Sequence, residues 1–113
     1  MAEFKVLVDE KEYTLEYVRD SVRQFESMGG NMQDFQGKIY TTIDILFYCG
    51  LRKHHKDISF NLSKKISDKA IEEYGIDEIY PVLIEKFTEV FMGEGNGEKK
   101  KGFLIQEVAK PKK

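Results

Sequence analysis

The 113 residues include a single cysteine, two prolines, two adjacent histidines and no tryptophan. A lone thiol, Cys49, excludes an intramolecular disulfide and any zinc site built from paired cysteines. It sits in a strongly apolar stretch, where a thiol behaves as a small buried hydrophobe, so a reduced setting is expected. No apolar run approaches the roughly 18 residues that would span a bilayer. The densest stretch, Ile39 to Leu51, is broken by Thr41, Thr42 and Asp44. Met1-Ala2-Glu3 is acidic and lacks a following apolar core, so no export signal is expected and the reading is cytoplasmic.

A large basic surface is also missing. Residues 1–92 carry 12 basic and 17 acidic side chains, and residues 93–113 carry 6 Lys and 3 Glu. An acidic body argues against tracking phosphates, whose affinity comes from Lys and Arg displacing counterions. Neither nucleic acid nor membrane is expected as a partner.

What is present describes one domain, about the length at which single cores occur. Phe4, Val6 and Val8 fall on one face, with Lys5 and Asp9 among the intervening positions and Leu7 as the single breach. Tyr13, Leu15 and Tyr17 alternate with Thr14 and Glu16 after Glu10-Lys11-Glu12. Two period-2 runs around a polar turn predict a β-hairpin. Lacking Asn-Gly, the turn is expected to take three to five residues. From Tyr17 the period becomes helical: Val18, Val22 and Phe25 predict a first helix ending at Gly29-Gly30. A second is predicted from Phe35 to Lys53, with Ile39, Ile43, Leu46, Phe47, Gly50 and Leu51 on its apolar stripe. A third, capped by Ser59, carries Leu62, Ile66, Ala70 and Tyr74 and stops at Gly75. A fourth, capped by Asp77 with Pro81 in its first turn, carries Leu83, Ile84, Phe87, Val90 and Phe91. Short connections of about two to six residues are expected between them. The fold class is therefore α+β, predominantly helical: a hairpin packed on about four helices over residues 1–92. Residues 93–113 read as a flexible basic tail with an apolar island at Phe103, Leu104, Ile105 and Val108.

Candidate chemistry is thin. His54 and His55 are neighbours, and adjacent helical side chains diverge by about 100°, so they do not converge on one ion. Cys49 with these histidines reads as core packing rather than a nucleophile. Glu72-Glu73 and Asp77-Glu78 read as solvated carboxylates. Gly93-Glu94-Gly95-Asn96-Gly97 follows a helix, where a dinucleotide loop follows a strand. No catalytic, cofactor-binding or metal residue is assigned, and no enzyme activity is expected. Six Tyr and eight Phe are generous for this size. Tyr40, Phe47 and Tyr48 cannot all share one inward stripe, so part of this set is expected to face outward. With Phe103, Leu104 and Ile105 they form the candidate protein-interaction residues.

The order of these segments carries a resemblance. A hairpin (Phe4-Lys5-Val6-Leu7-Val8 and Glu12-Tyr13-Thr14-Leu15) precedes a helix. A long apolar helix follows, Ile43-Asp44-Ile45-Leu46-Phe47-Tyr48-Cys49-Gly50-Leu51-Arg52-Lys53-His54-His55, and Asp57-Ile58-Ser59 opens the next. Over about residues 3–92 this resembles the tail assembly chaperones of long-tailed bacteriophages and prophages of Gram-positive hosts. The resemblance implies a protein made in the host cytoplasm that binds the tape measure protein, keeps it soluble during tail tube assembly, and is absent from the mature virion. It further implies the tail tube protein as a second partner and allows a homo-oligomer. It carries no cofactor and no site residue. A small structural component such as a head–tail connector, or a generic helical interaction module, is the alternative.

Overall fold

The structure, a computed structural model, describes residues 2–93. The tail expected over 93–113 and its island at 103–108 therefore lie outside the described residues, apart from Gly93. Two antiparallel strands, β1 (Glu3–Val8) and β2 (Lys11–Glu16), open the chain. Four α-helices follow: α1 (Arg19–Ser27), α2 (Ile39–Leu51), α3 (Phe60–Tyr74) and α4 (Ile76–Phe91). A 3₁₀ turn, Met32–Phe35, stands between α1 and α2. The α+β, mainly helical class expected from the periodicity is what the chain adopts.

The strands pair with Phe4 opposite Leu15, Val6 opposite Tyr13 and Val8 opposite Lys11. That register leaves only Asp9 and Glu10 in the turn, with φ of 55° and 66°. Two consecutive left-handed residues make a type I′ turn, whose twist matches that of the strands it joins. The expected looser loop is thus corrected: Asp9 and Glu10 take the role usually given to Asn-Gly. Support comes from α3, where the Glu73 carboxylate accepts the Asp9 N–H at 3.0 Å and the Tyr74 hydroxyl donates to the Leu7 carbonyl.

An isolated hairpin is marginal in water, so its apolar face must be covered. Val6, Val8 and Leu15 point inward to the core, while Glu3, Lys5 and Leu7 stay outside. The cover is α2. A Cβ at Gly50 would lie 3.0 Å from Leu15 Cδ2 and 3.2 Å from Tyr17 Cε1, so the missing side chain is what lets helix and strand approach. Tyr17, fully enclosed, donates its hydroxyl to the Leu46 carbonyl at 2.8 Å. Burial pushes the ionisation of this phenol well above its usual range.

Helix α1 ends as the glycines predict. The Gly30 N–H reaches the Phe25 carbonyl at 2.8 Å and the Gly29 N–H reaches Glu26 at 3.0 Å, a Schellman arrangement with Gly29 at φ 90°. Its first turn is closed by Ser21, whose hydroxyl accepts the Val18 N–H at 3.0 Å. Phe25 then joins Tyr17, Phe35 and Phe91 around Phe87, with ring centroids 4.7 to 6.1 Å from it. Such tilted and edge-on pairs contribute beyond their buried area.

Two helix starts, two connections and one stripe differ from expectation. Helix α2 starts at Ile39 rather than Phe35, because Gly37 and Lys38 both donate to the Asp34 carbonyl and complete a separate turn. Tyr80 fixes that turn by donating to the Phe35 carbonyl at 2.7 Å. Helix α4 starts at Ile76, directly after Gly75 (φ 87°), so Asp77 lies inside the helix and does not cap it. Pro81 consequently falls in the second turn, where the Asp77 carbonyl loses its helical donor. Helices α3 and α4 share Gly75 as their only link, whereas α2 and α3 are joined by residues 52–59, longer than expected. In α3, Ser59 caps as predicted by accepting the Leu62 N–H at 3.0 Å. Its inward face, however, is Ser63, Ile66, Ser67 and Ala70, and Leu62 and Tyr74 from the expected stripe are exposed.

Candidate protein-interaction surface

Helix α2 distributes the three aromatic candidates by rotation alone. Phe47 is 0% exposed and belongs to the core with Ile43, Leu46 and Leu51. Its assignment to an interface is therefore corrected: at four-residue spacing from both Ile43 and Leu51 it shares their inward side of the helix. Tyr40, 61% exposed, stands on the outer side of the first turn. Tyr48 is half-buried and extends toward α3. Phe103, Leu104 and Ile105 lie outside the described residues.

Tyr48 meets Phe60 edge-on across the α2–α3 seam, with centroids 5.5 Å apart. A cation flanks each ring: the Arg52 guanidinium lies 5.7 Å from the Tyr48 centroid, and the Lys64 ammonium 5.5 Å from that of Phe60. The four side chains make a strip that runs cation, ring, ring, cation across two helices. Each cation sits about one helical turn from its ring, as i, i+4 neighbours do. Cation–ring contacts at exposed sites contribute about 0.5–1 kcal/mol, so they help to hold the strip in shape. Sequence reasoning found Tyr48 but missed Phe60. The visible signal was the pair of i, i+4 spacings, Tyr48/Arg52 and Phe60/Lys64; their meeting across the seam is tertiary.

The chemistry-bearing residues are dispersed. Cys49 is buried, and burial pushes its thiol up to about 12, so it stays protonated at neutral pH. It lies at one side of a depression of about 340 Å³ between α1 and α2, lined also by Ser21, Gln24, Arg52, Lys53 and Lys56. Gln24 already accepts from Arg52 there. The two histidines part as expected. His55 turns its ring to Tyr13 and accepts the Thr14 N–H through Nε2 at 3.3 Å. Burial lowers the proton affinity of His55, with the neighbouring His54 and Lys11 acting in the same direction. His54 reaches the other way, its Nε2 2.8 Å from Glu16 Oε1. Of the paired carboxylates, Glu72 lies 3.6 Å from Lys69, and Glu73 serves the hairpin turn. Asp77 and Glu78 are exposed at the start of α4, where their charge complements the helix dipole.

No helix of the described residues is long and apolar enough to cross a membrane. No curated protein and no solved structure matches the sequence. One family does, over residues 1–93, and that span takes in the hairpin, all four helices and the aromatic strip. The chain belongs to that family, DUF5055, a domain of unknown function.

Proposed function

We propose that this chain is a protein-binding module that acts as a tail assembly chaperone, holding the tape measure protein of a long-tailed phage or prophage in soluble form while the tail tube assembles. The observation that carries a binding role is the Arg52–Tyr48–Phe60–Lys64 strip. Tyr, Phe and Arg are the residue types enriched at interface centres, and here they stand preassembled at the surface. Exposed Tyr40 and Leu62 add apolar area on the same two helices. The specific partner rests on the resemblance in segment order. Rings flanked by cations suit a helical substrate whose apolar stripe is bordered by acidic residues. A small patch of this kind gives modest affinity, as a chaperone displaced by polymerising tube protein requires. A role without a chemical step is further supported by the buried, protonated thiol of Cys49. In this reading the protein works in the host cytoplasm and leaves before the virion is complete.

The test is co-expression with the tape measure protein of the phage or prophage that this reading assigns as the source of the chain. The wild-type chain is expected to raise the soluble fraction of that protein and to co-purify with it. Tyr48→Ala and Leu62→Ser are expected to weaken both effects. Leu62→Ser, at a half-exposed position, should change stability by no more than about 0.5 kcal/mol. No gain in solubility together with no co-purification would overturn the proposal. Detection of the chain in purified virions would replace it with a structural role such as a head–tail connector.

A further inference from the structure

We propose that Glu3, Glu16 and His54 form a site for one divalent transition-metal ion of the zinc type, which fastens the open end of the hairpin to the turn that follows α2. One donor atom from each of the three residues lies within 4.8 Å of the other two. They come from three separate segments, β1, β2 and the residues just after α2, so no local sequence pattern accounts for their meeting.

The strand register explains how the carboxylates come together. Glu3 stands directly opposite Glu16. The two-residue turn makes Val8 and Lys11 a hydrogen-bonded pair, and alternation then places Glu3 and Glu16 in a non-hydrogen-bonded pair. In such pairs the Cα atoms approach to about 4.5 Å and the side chains project to the same face. Two like charges so opposed destabilise a hairpin. The His54–Glu16 contact, at 2.8 Å, accounts for two of the three groups. It leaves Glu3 held against Glu16 with no cation of its own among the described ion pairs.

The backbone under all three donors is fixed without help from an ion. The Tyr17 N–H donates to the Ala2 carbonyl at 2.9 Å, closing the hairpin beside Glu3 and Glu16. The His54 N–H donates to Leu51 at 3.2 Å. His55, through the Thr14 N–H, moors the histidine turn to β2. A backbone fixed beforehand limits what the donors must still do to the turning of side chains.

One imidazole nitrogen and two carboxylates balance a doubly charged ion and suit zinc or cobalt, whereas magnesium and calcium favour all-oxygen shells. Three protein ligands leave a fourth position for water. Tetrahedral bonds of about 2.0–2.2 Å place ligand atoms about 3.3 Å apart, so the Glu3 carboxylate has to swing inward. It is exposed and has room to do so.

The experiment uses the tag-free full chain, stripped with chelator, and titrates zinc chloride by calorimetry, with cobalt absorption as a second reading. One ion per chain is expected. At about a hundredfold excess of free ion over Kd, Tm should rise by roughly 10–20 °C. Glu3→Gln and His54→Gln should each weaken binding at least roughly tenfold. Metal-free Glu3→Gln should melt at or above the wild-type temperature, because the opposed charges are gone, and this shows that the fold persists. Absence of stoichiometric binding, wild-type affinity in either variant, or equal binding of magnesium would each overturn the proposal.

Discussion

Among the described residues, helices α2 and α3 share the most extensive helix–helix seam and are built differently. Ile43, Leu46, Phe47 and Leu51 of α2 are wholly enclosed, and the helix touches β2, α1, α3 and α4. The buried side of α3 consists of Ser63, Ile66, Ser67 and Ala70. Helix α2 stabilises the fold by filling volume. Helix α3 contributes by being slim enough to lie close, and it satisfies its buried hydroxyls in place. Ser63 donates to the Phe60 carbonyl at 3.1 Å, and Ser67 donates to the Asp44 carboxylate at 3.1 Å across the seam. The space saved by serine and alanine on one side is taken by larger side chains on the other.

Three substitutions would break or sharpen this contrast. The largest effect belongs to α2: Phe47→Ala should cost about 3–5 kcal/mol in urea unfolding, the range for an aromatic removed from a closed core. A loss below about 1 kcal/mol would mean that Phe47 is not held as a core residue. Next is Ala70→Leu in α3, expected to cost about 1–3 kcal/mol because the added carbons have no space at a fully buried position. A neutral result would show that the seam is not closed by small residues. The smallest concerns Asp44. Burial raises its pKa, Asp68 adds to the rise, and the Ser67 hydrogen bond and Lys64 oppose it. A carboxyl raised in the folded state favours folding below its unfolded pKa, and that contribution is lost as pH rises through the folded value. Asp44→Asn keeps an acceptor for Ser67 and removes the charge. Its Tm should therefore equal or exceed that of the wild type near pH 7, with the difference shrinking toward pH 4. A variant less stable at pH 7 would show that the charge itself strengthens the seam.

The same contrast explains what the sequence disclosed. In α2 the apolar residues recur at helical spacing and nearly all of them are buried, so periodicity located the helix and its stripe. In α3 hydrophobicity misleads. Leu62 and Tyr74 look like core and are exposed, while Ser63 and Ser67 look like surface and are enclosed. Close helix approach selects for small volume, which a hydrophobicity pattern does not register. The two-residue turn is hidden for a related reason: Glu73 accepts the Asp9 N–H and Tyr74 donates to the Leu7 carbonyl just before the turn, and those partners lie far along the chain. Of the candidate surface, Tyr40 and Tyr48 were legible as aromatic excess on one helix. Phe60 and the meeting of Glu3, Glu16 and His54 depend on tertiary contact and strand register, which no local pattern carries.

The Asp9–Glu10 turn has a consequence for how the molecule opens. Aspartate is accepted at the first left-handed position of such a turn, but Glu10 stands where glycine is usual and is disfavoured there by about 1–2 kcal/mol, so the tip lacks half of the local preference that usually holds it. Its outside support, the Asp9 N–H to Glu73 bond, spans 64 residues of sequence. Fraying at the far end of α3 should therefore loosen the tip as well, and amide exchange at Asp9 should track exchange in the last turn of that helix. The first stretch of the chain acts as a gauge of whether a much later one has docked.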